Sequence, residues 1–413
     1  MPLRTTTRTG DQALVREINL SLIMNHLLGN SSLSRASLAE VTGLNKSTVS
    51  SLVQELIDMH FVREVGLSSS GVGRPSMLLE INPQAGYIVS CELGVDFLSV
   101  ICADFGADVV WRHHEDTRDR MSQHAIIERM LALLIQAVEA GERLCVNCER
   151  LLGLAVGAPG LADRTTGTLL FAPNLGWENV ALRDILRDTF PDVPVFVENE
   201  ANMAALGEYF FGAAKGYREA LFVSAGVGLG GAVVLDGALF KGTTGFASEF
   251  GHMTMDPDGE LCNCGNRGCW ETQVSQSALF RLIRKAIERG QPSLLTETTG
   301  GNLNRLTVPL VVDAARRRDR VARDALNQVG HHLGVGVASL VNAFNPDLVV
   351  FGGIMSLAGE FLLPIIQREL ATRALRWNLG ATEVVLAQHG SNACVMGGVA
   401  MLYQTILSPP GNR

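Results

Sequence analysis

The sequence predicts an α/β fold in two parts, a small N-terminal winged helix-turn-helix followed by a much larger layered α/β body. Three observations carry this. Residues 1–81 hold helix-spaced apolar stripes punctuated by cap residues, then two β-rich runs around a Ser/Gly segment. From Tyr87 onward, short β-rich runs alternate with helical stretches. The chain has 413 residues, enough for about three domains at roughly 100 to 200 residues each. Hydrophobic residues make up 47% and charged residues 18%, a globular balance that excludes a disordered chain. The longest uncharged runs, such as Leu221 to Leu235, fall short of the roughly 20 apolar residues of a membrane helix. The N-terminus shows no apolar signal segment, so a cytoplasmic location is expected.

Asp11 to Leu28 reads as the first helix, with Leu14, Ile18 and Leu22 spaced four apart as its apolar repeat and Gly29-Asn30 as its stop. Ser34 caps a second, short helix that carries Leu38 and Val41 inward and ends at Thr42-Gly43. Asn45 caps a third, in which Val49, Leu52, Val53, Leu56 and Ile57 form one apolar face. A short helix, a glycine turn and a helix that starts with small hydrogen-bonding residues fit the helix-turn-helix, so Asn45, Lys46, Ser47, Thr48, Ser50 and Ser51 are candidate contacts to double-stranded operator DNA. Phe61 to Ile81 reads as two strands around residues 68–75, a wing, with Arg74 placed to enter the minor groove or meet phosphate. A plain three-helix bundle is the alternative. Residues 1–81 carry seven Lys/Arg and seven Asp/Glu, so the remaining chain holds the whole formal charge of -8. One small head covers too little DNA for useful specificity, so a homodimer or homotetramer is expected, held by the body.

In the body, Tyr87 to Gly94, Leu98 to Asp104 and Asp108 to His114 read as successive strands, followed by a helix from Ser122 to Ala140. Leu151 to Val156, Val193 to Val197, Ala220 to Ser224 and Gly231 to Leu235 are further β-rich runs. A long helical stretch, Arg320 to Ala343, precedes strands at Leu348 to Phe351 and Glu383 to Ala387, and a helix closes the chain near Val395 to Ile406. The eight cysteines are too sparse for a disulfide scaffold, but three cluster. Cys262, Cys264 and Cys269 offer three thiolates in eight residues beside Gly265 and Gly268, and His252 lies near enough in sequence to complete a closed tetrahedral set, which suits a structural Zn2+. Cys145 and Cys148 have no second pair to match and read as small packed residues, and the His113-His114 pair as a surface loop.

Five runs in order, Gly157-Ala158-Pro159-Gly160, Glu198-Asn199-Glu200-Ala201-Asn202, Gly226 to Gly231, Glu249-Phe250-Gly251-His252 and Cys262 to Glu271, resemble the signature of the ROK family of repressors, open reading frames and kinases. The likeness extends over residues 11 to 408, and its last motif is the most specific. It implies a two-lobed, actin-like, ribonuclease H-like sugar-kinase fold, with a head at 1–81, a first lobe at 82–205, a second at 206–394, and a terminal helix at 395–408 returning to the first lobe. It also assigns His252, Cys262, Cys264 and Cys269 to the metal, and Gly160, Asn174, Asn199, Glu200, Glu249, His252 and Glu271 to a sugar. Family kinases place an aspartate where this chain has Glu200 and open their first hairpin with Asp-x-Gly-Gly-Thr, where this chain reads Glu92-Leu93-Gly94-Val95-Asp96. A carboxylate and a branched side chain oppose phosphate binding there. The resemblance therefore implies no catalytic residues and a sugar-responsive repressor of the xylose type, with a xylose- or glucose-like effector. An ATP-dependent sugar kinase with a DNA-binding appendage is the alternative.

Overall fold

The structure is a computed structural model that describes residues 12–29, 32–67, 76–117, 122–145, 148, 150–235 and 237–406. The head is built from α1 (Gln12–Gly29), β1 (Leu33–Ser34), α2 (Arg35–Thr42), α3 (Lys46–Asp58), β2 (Val62–Leu67) and β3 (Met77–Ile81). Both expected caps form: Ser34 accepts from the Ser37 amide and Asn45 from that of Thr48, satisfying donors that a helix start leaves open. Gly43 closes α2 at φ 70°, a left-handed conformation in which a side chain would be strained. Strands β2 and β3 pair as an antiparallel wing, and β1 adds a third strand beside β3. The wing tip with Arg74 lies outside the described residues.

Two expected faces are corrected. In α1, Leu20, Ile23, Met24 and Leu27 are buried, whereas Ile18 is 56% exposed. Their i, i+3, i+4, i+7 spacing follows the 3.6-residue turn, while a strict step of four drifts off one face. Val41 of α2 is 50% exposed, and Leu38 with Ala39 takes the inward side.

The body holds two five-stranded sheets of the same design. The first contains β4 (Tyr87–Leu93), β5 (Phe97–Asp104), β6 (Val109–Asp116), β7 (Leu151–Ala158) and β11 (Val195–Asn199), in the order β11-β7-β4-β5-β6. Between β7 and β11 lie β8 (Leu161–Asp163), β9 (Thr168–Ala172) and β10 (Trp177–Val180), a small antiparallel sheet with no forecast in the sequence reading. The second large sheet contains β12 (Glu219–Ala225), β13 (Leu229–Leu235), β14 (Ala238–Leu239), β15 (Leu348–Gly352) and β16 (Glu383–Leu386), in the order β14-β13-β12-β15-β16. In each, two adjacent pairings are antiparallel (β4–β5 and β5–β6; β14–β13 and β13–β12) and the other two parallel. The parallel steps cross over through α4 (Gln123–Leu144) and α5 (Leu182–Thr189) in one sheet, and through the helices Arg320–Phe344 and Gly359–Arg373 in the other. His113 and His114 are part of β6, not of a loop. Cys145 and Cys148 are joined as a disulfide at the end of α4, where simple packing was expected.

The helix α6 (Glu200–Phe211) runs between the two sheets, and the terminal helix Ala393–Ile406 lies along it and against β7 and β4. The lobe boundary expected at 205/206 falls inside α6. Backbone meets backbone here: a Cβ on Gly397 would run into the Met203 carbonyl, and one on Gly207 into the Ala393 carbonyl. One apolar core continues from Ile23 and Leu56 of the head through Phe105 to Met203 and Tyr403. Its aromatic members are in series, with Phe61 4.9 Å from Phe105, Phe105 4.9 Å from Tyr403 and Tyr403 5.8 Å from Phe211. The buried Tyr403 hydroxyl donates to the Phe105 carbonyl. Replacing Gly397 by alanine forces the two helices apart, and urea unfolding should show a loss of about 1–3 kcal/mol; unchanged stability would mean that the contact relaxes freely.

Candidate functional site

A cleft opens between the sheets, with walls that include Glu92, Asp96, Asp116, Gly160, Asn174, Asn199 and Glu200 on the first side and Gly228, Glu249, His252 and Glu271 on the second. All seven residues of the expected sugar set line it. Each is held by the element that carries it. Asn199 ends β11 and caps α6, its Oδ1 accepting from the amides of Ala201 (2.8 Å) and Asn202 (3.1 Å), while its Nδ2 donates to the Gly160 carbonyl at 3.0 Å. Most of its polar capacity is therefore spent on fixing the cleft floor. Glu271 accepts from the Leu229 amide at 2.9 Å through Oε2. Asn174, in the β9–β10 turn, accepts from Asn263 Nδ2 at 2.8 Å.

The floor is acidic and its carboxyl groups are buried. Burial pushes Glu92 up to about 8, opposed by a hydrogen bond with Cys394. Burial raises Glu200 well above the usual carboxylate range, with the nearby Glu92, Glu249 and Glu271 adding to it. Burial, then Glu271, pushes Glu249 up to about 7. Oε2 of Glu92 and Oε2 of Glu200 are both shut from solvent without a hydrogen-bond partner.

His252, Cys262, Cys264 and Cys269 converge at one edge of the cleft, their ligand atoms all within 4.8 Å of one another. Cys262 Sγ is 3.8 Å from His252 Nδ1, and Cys264 Sγ is 3.7 Å from Cys269 Sγ. A tetrahedron with ligands at about 2.3 Å has edges of about 3.8 Å, so the donor set and its spacing fit a bound metal. The loop is seated by Trp270, fully buried, whose Nε1 donates to the His332 carbonyl on the Arg320–Phe344 helix at 2.9 Å. Gly268, at φ 64°, turns the loop where a Cβ would overlap the Asp256 carbonyl.

On the head, Lys46, Ser47, Ser50 and Ser51 are exposed on α3, and Thr48 is half-buried. Asn45 is engaged in its cap, accepting from Ser47 Oγ at 2.7 Å as well as from the Thr48 amide.

With this geometry in hand, the sequence model of the ROK family matches residues 88–405, and a model of winged helix-turn-helix DNA-binding domains matches residues 16–63. The chain belongs to the ROK family. It is 34% identical over 402 residues to the xylose repressor of Caldicellulosiruptor bescii, covering 97% of this chain and 99% of that one. Among solved structures, a ROK family transcriptional regulator described as a homolog of the Escherichia coli Mlc protein superposes with TM-score 0.78 at 27% identity, covering 95% of this chain and 97% of that one. A ROK family glucokinase from Streptomyces griseus, solved with glucose and AMPPNP, superposes with TM-score 0.67 at 30% identity, covering 76% and 99%.

Within this ROK body, two bridges span the cleft that motif reading missed. Lys241, after β14, pairs with Glu198 of β11, whose other carboxylate oxygen accepts from Asn202 Nδ2 at 3.1 Å. The second is the Asn263–Asn174 bond from the metal loop to the β9–β10 turn. Glu198 lay within a quoted run, and Asn263 between two cysteines, but nothing in the sequence pointed to Lys241. Glu198 is 3% exposed, so Lys241→Met strands a buried carboxylate. Urea unfolding should lose about 3–5 kcal/mol, with part restored by adding Glu198→Gln; no loss would show that the pair contributes nothing.

Proposed function

We propose that this ROK protein is a sugar-responsive, DNA-binding repressor of carbohydrate catabolism genes, most closely of the xylose type. In this reading the head, residues 1–81, grips double-stranded operator DNA, and a monosaccharide of xylose or glucose type sits between two lobes that divide at α6. The observation that carries it is a helix-turn-helix with an exposed polar α3 start, joined by one continuous apolar core to the floor of a cleft lined by hydroxyl-binding groups. The likeness to a xylose repressor extends over head and body alike.

Gly160, Asn174, Asn199, Glu200, Glu249, His252 and Glu271 form the sugar site in this reading. Lys46, Ser47, Thr48, Ser50 and Ser51 face DNA, Asn45 sets the start of the recognition helix, and Arg74 extends the contact from the wing. His252, Cys262, Cys264 and Cys269 hold a structural zinc ion. Bound there, zinc supplies a closed tetrahedral anchor with no open position. His252 Nδ1 faces the thiols, leaving Nε2 for a sugar hydroxyl. The protein works in the cytoplasm as a homodimer or homotetramer. Among the described residues, no helix is long and apolar enough to cross a membrane.

The kinase reading has the likeness to the glucokinase in its favour. Against it, Glu92, Val95 and Asp96 stand at the cleft where the family's phosphate loop belongs, and Glu200, one methylene longer than aspartate, sets its carboxyl away from the place a general base must hold. We read the chain as a non-enzyme.

The deciding measurement is the affinity of the zinc-loaded protein for its upstream DNA at fixed salt, with and without xylose, glucose and other monosaccharides. A coupling of about 1–3 kcal/mol changes that affinity about 5 to 150-fold. Tight binding that no sugar moves would sink the proposed effector. Glu249→Ala should erase the sugar effect and leave sugar-free DNA binding intact. Lys46→Ala should weaken all DNA sequences alike and lower the salt slope by about one. Stripping zinc with a chelator should lower the Tm and the sugar affinity together, with metal content followed by elemental analysis.

A further inference from the structure

Glu92 stands at the base of the cleft, where the family's kinases have the first residue of their phosphate loop. Strand β4 sets Glu92 opposite Gly157 of β7, and Gly157 in turn lies against Cys394 and the backbone of Glu200. Glu92 and Glu200 thus meet around the Cys394 thiol at the base of the cleft. Each lines the wall, and each has an Oε2 with no partner in the protein. A buried oxygen left unmatched is costly, and two on one stretch of wall form an arrangement that a hydroxyl-bearing ligand completes. The remaining wall gives the ligand's charge. It includes Asp96, Asp116, Glu249 and Glu271 and, among the described residues, no lysine or arginine. The Lys241 ammonium is already paired with Glu198. Among the described residues of this wall a phosphate group meets carboxyl groups and, as possible counter-charges, only the imidazoles of His114 and His252, whereas an uncharged polyol finds donors and acceptors.

We propose that Glu92 is an effector-contacting residue that helps restrict the cleft to uncharged, unphosphorylated sugars. This rests on reading the cleft as the sugar site. The contact supplies what a carboxylate cannot, an O–H that donates to a sugar oxygen while the carbonyl oxygen accepts from a hydroxyl. Burial holds the Glu92 proton, opposed by the hydrogen bond with Cys394 of the terminal helix; Glu200 of α6 and Cys91 beside Glu92 on β4 are themselves raised by burial, and Glu249 and Glu271 act on Glu200 from the second lobe. Because Glu92 is pushed up to about 8, sugar binding that needs its proton is complete below that pH and lost above it.

The test is titration calorimetry of the full-length, zinc-loaded protein with D-xylose and D-glucose, and with glucose 6-phosphate, at pH 7 and pH 9. Wild type, Glu92→Gln and Glu92→Ala are compared, each checked for its folded state by circular dichroism. The better-bound sugar should lose about tenfold in affinity at pH 9 in the wild type. Glu92→Gln, which keeps a donor and an acceptor, should bind within a few-fold of wild type at pH 7 and lose less at pH 9. Glu92→Ala should bind at least about tenfold more weakly at pH 7. Glucose 6-phosphate should bind at least about tenfold more weakly than glucose. Sugar binding that is the same in all three proteins, or glucose 6-phosphate bound as tightly as glucose, overturns this assignment and leaves the sugar site standing. No binding of either sugar by any of them overturns both.

Discussion

The close approach of α6 and the terminal helix is the constraint on which the rest of the molecule depends. Two glycines, Gly207 and Gly397, let the backbones touch, and no larger residue fits without moving one helix. That contact gives α6 a fixed position at both ends. Its first residues carry Asn199 and Glu200 into the cleft, and its last, Phe211, leans on Tyr403. Tyr403 reaches Phe105, and Phe105 reaches Phe61 at the edge of the head. α6 thus starts at the cleft and ends in the core under the winged head, one helix in contact with both.

Two bridges control how the lobes stand across that floor. Lys241 and Glu198 form a largely buried ion pair between the sheets, where breaking one partner is expensive. Asn263 ties the cysteine loop to Asn174 on the opposite wall. The loop therefore has three tasks: it gathers the thiols, aims His252 and holds one lip of the cleft. Trp270, buried against the Arg320–Phe344 helix, is the footing for all three.

The electrostatics of the cleft are dominated by buried carboxyl groups. Carboxyl groups removed from water lose charge before they lose their hydrogen-bonding function, so Glu92, Glu200 and Glu249 are all raised by burial. A wall of this kind is matched to hydroxyls.

Much of this was legible in the sequence because it depends on local chemistry. Caps at Ser34 and Asn45, the apolar face of α3, the strands of both sheets apart from the two-residue β14 and the cysteine spacing each follow from residues a few positions apart. The ROK motifs likewise marked the residues that line the cleft. The sequence was less informative wherever two solutions competed locally, as in α1, where the stripe through Leu20, Ile23, Met24 and Leu27 prevailed over the one through Ile18. It was silent on Lys241 opposite Glu198, on Asn263 opposite Asn174 and on the paired carboxyls of Glu92 and Glu200, since each contact joins segments tens to more than a hundred residues apart. Local sequence determines which groups are available, through backbone preference and spacing. Only the tertiary structure decides which of them share a dry cleft, and burial there decides which carry a proton.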